Sequence, residues 1–268
     1  MNNIMKNVSI YMVVLSILSG LVYAEKASPK SDVVSDTVKL IDIAGKQRML
    51  SQRIAKNYLY AGNKVATAKA SKQLKMSVEE LHKAHKLLVE SINNSDIKNL
   101  LAFVEMSTED FDTTSNEKFT LDNAQLIIDL SESMLEGSQY VVDSLKETVK
   151  IDEAKVVGLS GKQRMLAQRI AKYYIAYQSG IKDKNTVDQM NNAVKLFAKT
   201  HTSLMKNSAN TPEINRKLNE IDRLWKIVYK FYLNIEKGGL PLIVFNTTDT
   251  ITKKMNDITA LYVELYKK

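Results

Sequence analysis

The chain has 268 residues, 44% of them apolar and 25% charged, a balance that supports a folded core and excludes a disordered polymer. Nine Gly and three Pro are too few for the turns of an all-β or doubly wound α/β protein of this length, so the composition selects helices. The absence of Cys excludes disulfides, thiolate metal sites, iron–sulfur clusters, cysteine nucleophiles and lipoprotein anchoring.

From the N-terminus, residues 1–24 carry one charge, Lys6, then an apolar run from Val8 to Val22 and a small-x-small ending at Ala24. The run is about 15 residues, short of the roughly 20 a bilayer span needs, so a cleaved secretory signal is expected. The protein is then periplasmic or secreted, the alternative being an N-terminal anchor in the inner membrane. Residues 25–32, polar and bearing Pro29, read as a flexible lead-in.

The rest divides into eight segments with apolar residues at helical spacing. Four are expected at about 33–61, 64–92, 96–112 and 121–149, and four more at about 151–179, 185–208, 212–236 and 241–267. Asp96, Thr211 before Pro212, and the Gly239-Leu240-Pro241 turn are start signals. The halves are related: Gly45-Lys-Gln-Arg-Met-Leu-Ser-Gln-Arg-Ile-Ala-Lys56 recurs as Gly161-Lys-Gln-Arg-Met-Leu-Ala-Gln-Arg-Ile-Ala-Lys172, identical at eleven of twelve positions. The same 116-residue offset carries Tyr58 to Tyr174, His85 to His201 and Leu88 to Leu204. The expected fold class is therefore all-α, two tandem four-helix bundles at 33–150 and 151–268. No Gly or Pro lies between Ser138 and Val157, so a continuous helix from about 121 to 179 is favoured over a break near Lys150-Ile151-Asp152 with the bundles side by side.

Charge gathers on the repeat. Lys46, Arg48, Arg53 and Lys56, with Lys162, Arg164, Arg169 and Lys172, match the whole net charge of +8, and no acid lies between Ile43 and Tyr60 or between Leu159 and Lys182. A nucleic-acid binder would spread its cations along a face and would not be exported, so no nucleic-acid partner is expected. At about 100° per residue, Ile43, Leu50, Ile54 and Tyr58, with Leu159, Leu166, Ile170 and Tyr174, form core stripes. On another face lie Ala44, Arg48, Ser51, Gln52 and Ala55, matched by Ser160, Arg164, Ala167, Gln168 and Ala171. Small residues let a second helix approach closely, and a guanidinium with five donors needs oxygen partners when desolvated. Two such faces together would gather two Arg and two Gln around a gap suited to a small oxyanion. The outward Lys46, Arg53, Lys56 and their counterparts fit a solvated face.

At this motif the sequence resembles the helical sensory domain of nitrate/nitrite sensor kinases (NarX/NarQ type) and PilJ-like chemotaxis transducers. Their pattern Ala-Gly-x-x-Arg-Met-x-Ser-x-Arg is matched by Ala44 to Arg53, and from Ser160 to Arg169 with Ser160 for Ala and Ala167 for Ser. The resemblance implies a periplasmic four-helix bundle whose Arg binds an anion between two subunits. Arg48 and Arg164 inherit that role, with Gly45 and Gly161 for close approach and Gln52, Gln168 and Ser51 shaping the pocket. The implied ligand is a small anion, nitrate- or nitrite-like or a carboxylate. The chain carries two copies and no second span, HAMP, kinase or methyl-accepting segment. A binding protein reporting to a membrane receptor or sensor kinase, with a homodimer open, is expected over direct signalling. The competing reading is a non-enzymatic helical adaptor that pairs with a chemoreceptor, sensor kinase or pilus component without a small ligand.

Other constellations point elsewhere. Glu79-x-x-His82 has a metal-binding spacing, but Lys195 and Ala198 replace both residues in the second copy, so no metal and no cofactor is expected. His85 and His201 read as interface or half-buried polar residues. No nucleophile elbow, zinc-protease motif or phosphate-cradling loop is present, so no enzyme is expected. Trp225, Tyr229 and Tyr232 read as packing within the seventh segment.

Overall fold

The computed structural model describes residues 29–149 and 151–266, the first four by backbone alone. Eight helices form among them, α1 Pro29–Gly62, α2 Thr67–Ser91, α3 Ser95–Asn116, α4 Leu121–Val149, α5 Asp152–Gln178, α6 Lys184–Met205, α7 Pro212–Tyr232 and α8 Pro241–Leu265, with a 3-10 turn at Ile235–Lys237 before α8. The protein is all-α. The signal expected over 1–24 lies outside the described residues. The lead-in expected over 25–32 is helical from Pro29, since proline, with no N–H to leave unbonded, is tolerated in a first turn. No helix among the described residues is long and apolar enough to cross a membrane.

Helix starts follow side-chain chemistry. Asp183 accepts from the Thr186 N–H at 2.7 Å and Thr211 from the Ile214 N–H at 3.2 Å, each satisfying a donor the helix leaves open. At α3 the cap is Asn94, accepting from the Ile97 N–H, and the expected Asp96 lies inside the first turn, where its charge meets the helix dipole. Gly238 and Gly239 take positive φ and let the chain turn from the 3-10 segment into α8.

The continuous helix from 121 to 179 does not form. The fourth helix ends at Val149, and Ile151 is extended before Asp152 and Glu153 open α5. The physical reason is lateral packing: an unbroken rod would hold α1 and α5 apart, whereas they lie against one another over their motif segments. α1 packs on α2 and α4, which hold α3, while α5 packs on α6 and α8, which hold α7.

Positions 116 residues apart face one another across α1 and α5. Gly45 and Gly161 meet at one level, a Cβ built on Gly45 lying 4.0 Å from the Gly161 Cα, and Asn63 donates to the Ser179 hydroxyl at 2.5 Å at another. Register-matched contacts at both levels mean that the two helices run parallel. Each is covered by its own neighbours and by the other, so the motif segments have almost no solvent face: Leu50, Ile54, Leu166 and Ile170 are buried, and so are Gln47, Gln52, Gln163 and Gln168. Burying aliphatic side chains of this size contributes about 1.5–3 kcal/mol each, which offsets the cost of enclosing so many polar groups. Trp225 packs against Tyr229 and Tyr232 within α7 as expected, and it also stacks on Phe197 at 4.2 Å, joining α7 to α6.

Candidate functional site

Close approach of the glycines brings two guanidinium groups into the α1–α5 crossing. Arg48 and Arg164 are each 1% exposed. A Cβ on Gly45 would lie 3.1 Å from Arg48 Nη2 and 3.4 Å from Arg164 Nη2, and one on Gly161 would see the same two atoms in reverse order. Two cationic nitrogens thus flank one spot between the helices. Each arginine also reaches across: Arg48 Nη2 donates to the Gly158 carbonyl on α5 at 3.2 Å, and Arg164 Nη2 to the Asp42 carbonyl on α1 at 3.3 Å. The remaining arms turn to each arginine's own neighbours, Arg48 Nη1 to Gln139 Oε1 at 2.7 Å and Arg164 Nη1 to Asn256 Oδ1 at 2.9 Å. Both Nε atoms are buried without a hydrogen-bond partner.

The pair is electrostatically unequal. Asp42 stands where the other motif has Gly158, and its carboxylate pairs with Arg164 Nη2 at 2.6 Å. Arg48 has no carboxylate in contact and meets Asp143 only through Gln139, whose Nε2 donates to Asp143 Oδ2 at 2.8 Å. Burial, and then the charge of Arg164, lowers the Arg48 guanidinium to about 10, with Asp143 and Asp42 opposing. It is still protonated at neutral pH, so the crossing keeps a like-charge strain that low local dielectric magnifies.

Of the residues expected to bind a ligand, Arg48, Arg164, Gly45 and Gly161 come together and the others do not. Gln52 Nε2 donates to the Ser131 carbonyl on α4 at 2.9 Å, and Gln168 Nε2 to Thr252 Oγ1 on α8 at 2.7 Å. Ser51 turns its hydroxyl back onto the Arg48 carbonyl at 2.9 Å. The two glutamines tie the motif helices to their neighbours, and Ser51 bonds within its own helix.

The solvated face expected for Lys56 and Lys172 is a correction. Both are 0% exposed, because α1 and α5 have helices on every side at this level. Lys56 pairs with Asp249 of α8 at 2.6 Å, and Lys172 with Glu132 of α4 at 2.5 Å, so each pair joins the first four helices to the last four. Burial pulls both amines down to about 8, against the raising effect of their carboxylates. Burial works to raise Asp249 and Glu132, but the cations beside them prevail and hold both below the ordinary carboxylate range. Sequence reasoning missed these acids, Asp42, Gln139 and Asn256. Asp42 alone had a visible signal, as the acid bordering the acid-free stretch where the other repeat has glycine.

Two buried, glycine-flanked arginines thus meet at a parallel crossing inside an all-helical array, and the class of the protein follows from its family. The model of the family described as "Type IV pili methyl-accepting chemotaxis transducer N-term", PilJ, matches residues 35–105 and 152–237, more than half of the chain. The chain belongs to the PilJ family. No curated protein and no solved structure matches it. PilJ domains are usually periplasmic sensory domains.

Proposed function

We propose that the chain is an exported sensory protein of the nitrate-sensor-like subtype, with tandem copies at 33–150 and 151–268, that binds one small oxyanion between Arg48 and Arg164. In this reading the copies act as the two halves of a dimer within one polypeptide, and the bound state is read by a membrane chemoreceptor or sensor kinase. The supporting observation is that two guanidinium groups, each 1% exposed, share one spot across Gly45 and Gly161 while a single carboxylate, Asp42, touches only one of them. An anion there would accept from the free Arg48 Nη2 hydrogen, compete with Asp42 for Arg164 Nη2, and relieve the repulsion that enclosure enforces. Planar nitrate, nitrite or a carboxylate suits the guanidinium fork better than a halide.

A thermal-shift series at fixed ionic strength tests the reading. An anion that binds only the folded state stabilises it by about 2.7 kcal/mol at a hundred times its Kd. Nitrate, nitrite or acetate should raise Tm beyond chloride in the native protein, and Arg48→Ala and Arg164→Ala should each erase the difference. Identical curves for all salts would reject the site. The adaptor reading has its own support, since protein acceptors already engage both arginines. Flat curves together with a stable complex with a receptor module would favour it.

A further inference from the structure

A cavity of about 490 Å³ lies beside α1, enclosed by α2, α8 and Gln168 of α5. Four cations line it, Lys46, Arg53, Lys69 and Lys253, against two acids, Glu80 and Asp249. Those acids are engaged: Asp249 by buried Lys56 at 2.6 Å and by Lys69 at 3.6 Å, and Glu80 by Lys46 at 3.4 Å. Arg53 makes no hydrogen bond or ion pair with any described residue, and its Nε is buried without a partner. Its charge helps hold the Asp249 carboxyl low without touching it. Lys253, exposed at the rim, also has no described partner.

A second cavity, of about 450 Å³ and lined from α4, α5 and α6, supplies an internal control. Lys162, Met165 and Arg169 stand there at the motif positions of Lys46, Met49 and Arg53. In that cavity the guanidinium has an acid in contact: Arg169 Nη2 donates to Glu132 at 2.5 Å and to Gln189 Oε1 at 2.9 Å, while its Nε, like that of Arg53, is buried without a partner. Glu136, one turn after Glu132, occupies the place that Lys253 takes one turn after Asp249. The same framework thus pairs its arginine with a carboxylate on one side and leaves it without one on the other. Arg53 is half-buried, with its Nε enclosed and its remaining donors facing the cavity, and an incoming carboxylate is the partner its fork fits.

We infer that the cavity over Arg53 is a second binding site, separate from the Arg48–Arg164 crossing, for a small organic anion carrying two or more carboxylates. Its volume far exceeds a single nitrate and lies in the range of small-molecule sites. Arg53 takes one carboxylate in a bidentate grip, Lys253 and Lys46 attract another, and Asn246 and Thr250 at the wall meet hydroxyl or carbonyl groups.

Isothermal titration of the full chain with citrate and with malate at fixed ionic strength decides this. At least one of the two should bind saturably. Arg53→Gln and the surface change Lys253→Glu, which copies the acid of the neutralised cavity, should each weaken it about tenfold or more, the loss of a charge-assisted contact. Arg48→Ala should leave this binding intact while removing any nitrate response, so failure of one site is distinguishable from failure of the other. No binding of either probe, or affinity unchanged in both Arg53→Gln and Lys253→Glu, overturns the inference; so does equal loss on Arg169→Gln.

Discussion

Replacing Asp249 with Asn tests whether the buried lysines fasten the two halves of the structure. The Lys56 ammonium is 0% exposed and sits 2.6 Å from Asp249 Oδ1, with the Phe245 ring 4.2 Å from it on another side. The substituted amide would keep the shape and remove the charge, leaving an ammonium in low dielectric with amide oxygens alone. Breaking a buried pair by deleting one partner costs about 3–5 kcal/mol. Asp249 keeps 13% exposure and also faces the half-exposed Lys69, which reduces the expected loss to about 2–4 kcal/mol. Urea unfolding followed by circular dichroism measures it, and the double variant Lys56→Met/Asp249→Asn should recover at least half of the loss, because the stranded charge is gone. A single-variant loss under about 1 kcal/mol, or no recovery in the double variant, would refute the reasoning.

Acidification should act through the same groups. Asp249 and Glu132 are held below their ordinary values of 3.8 and 4.5, so the stability they supply is present above those values and is lost as pH falls through the lowered ones. A Tm series from pH 7 to 3 should fall steeply at its acid end, and Glu132→Gln with Asp249→Asn should flatten it. The lysines carry the opposite sign: their lowered pKa makes the native state release protons before the unfolded chain, so their contribution rises with pH from about 8 toward 10.5. Asp42→Asn removes the one carboxylate touching the arginine pair; with Asp42 30% exposed, the discounted cost is about 1–2 kcal/mol. It should also enlarge the Tm rise given by nitrate, and a smaller rise would contradict the charge balance drawn here. Gly45→Ala gains about 1 kcal/mol of helix propensity. The new methyl group meets Arg48 Nη2 at 3.1 Å, so stability should change little while the affinity for nitrate falls, as titration would measure.

The all-α architecture and most helix limits were legible because apolar spacing and caps are local: Thr211-Pro212 and Gly239-Leu240-Pro241 mark starts that the folded chain uses. The α4–α5 break was not, since no residue between Ser138 and Val157 forbids a helix and the decision lies in the α1–α5 packing. The arginine crossing was legible from two nearly identical motifs rich in small residues. The burial of Lys56 and Lys172 was hidden because their counter-charges come from the opposite half, Asp249 being 193 residues from Lys56. A helical wheel sorts one helix into faces, and it has no means of registering neighbours on every side. Gln52 and Gln168 share a wheel face with the arginines, yet their longer reach takes them to α4 and α8.

Calorimetric titration with nitrate, nitrite and acetate is the most direct measure of the central reading, because stoichiometry counts the sites. One anion per chain, lost on substituting either Arg48 or Arg164, is the predicted result. An isotherm that survives both substitutions would mean that the paired guanidinium groups serve only the joint between helices.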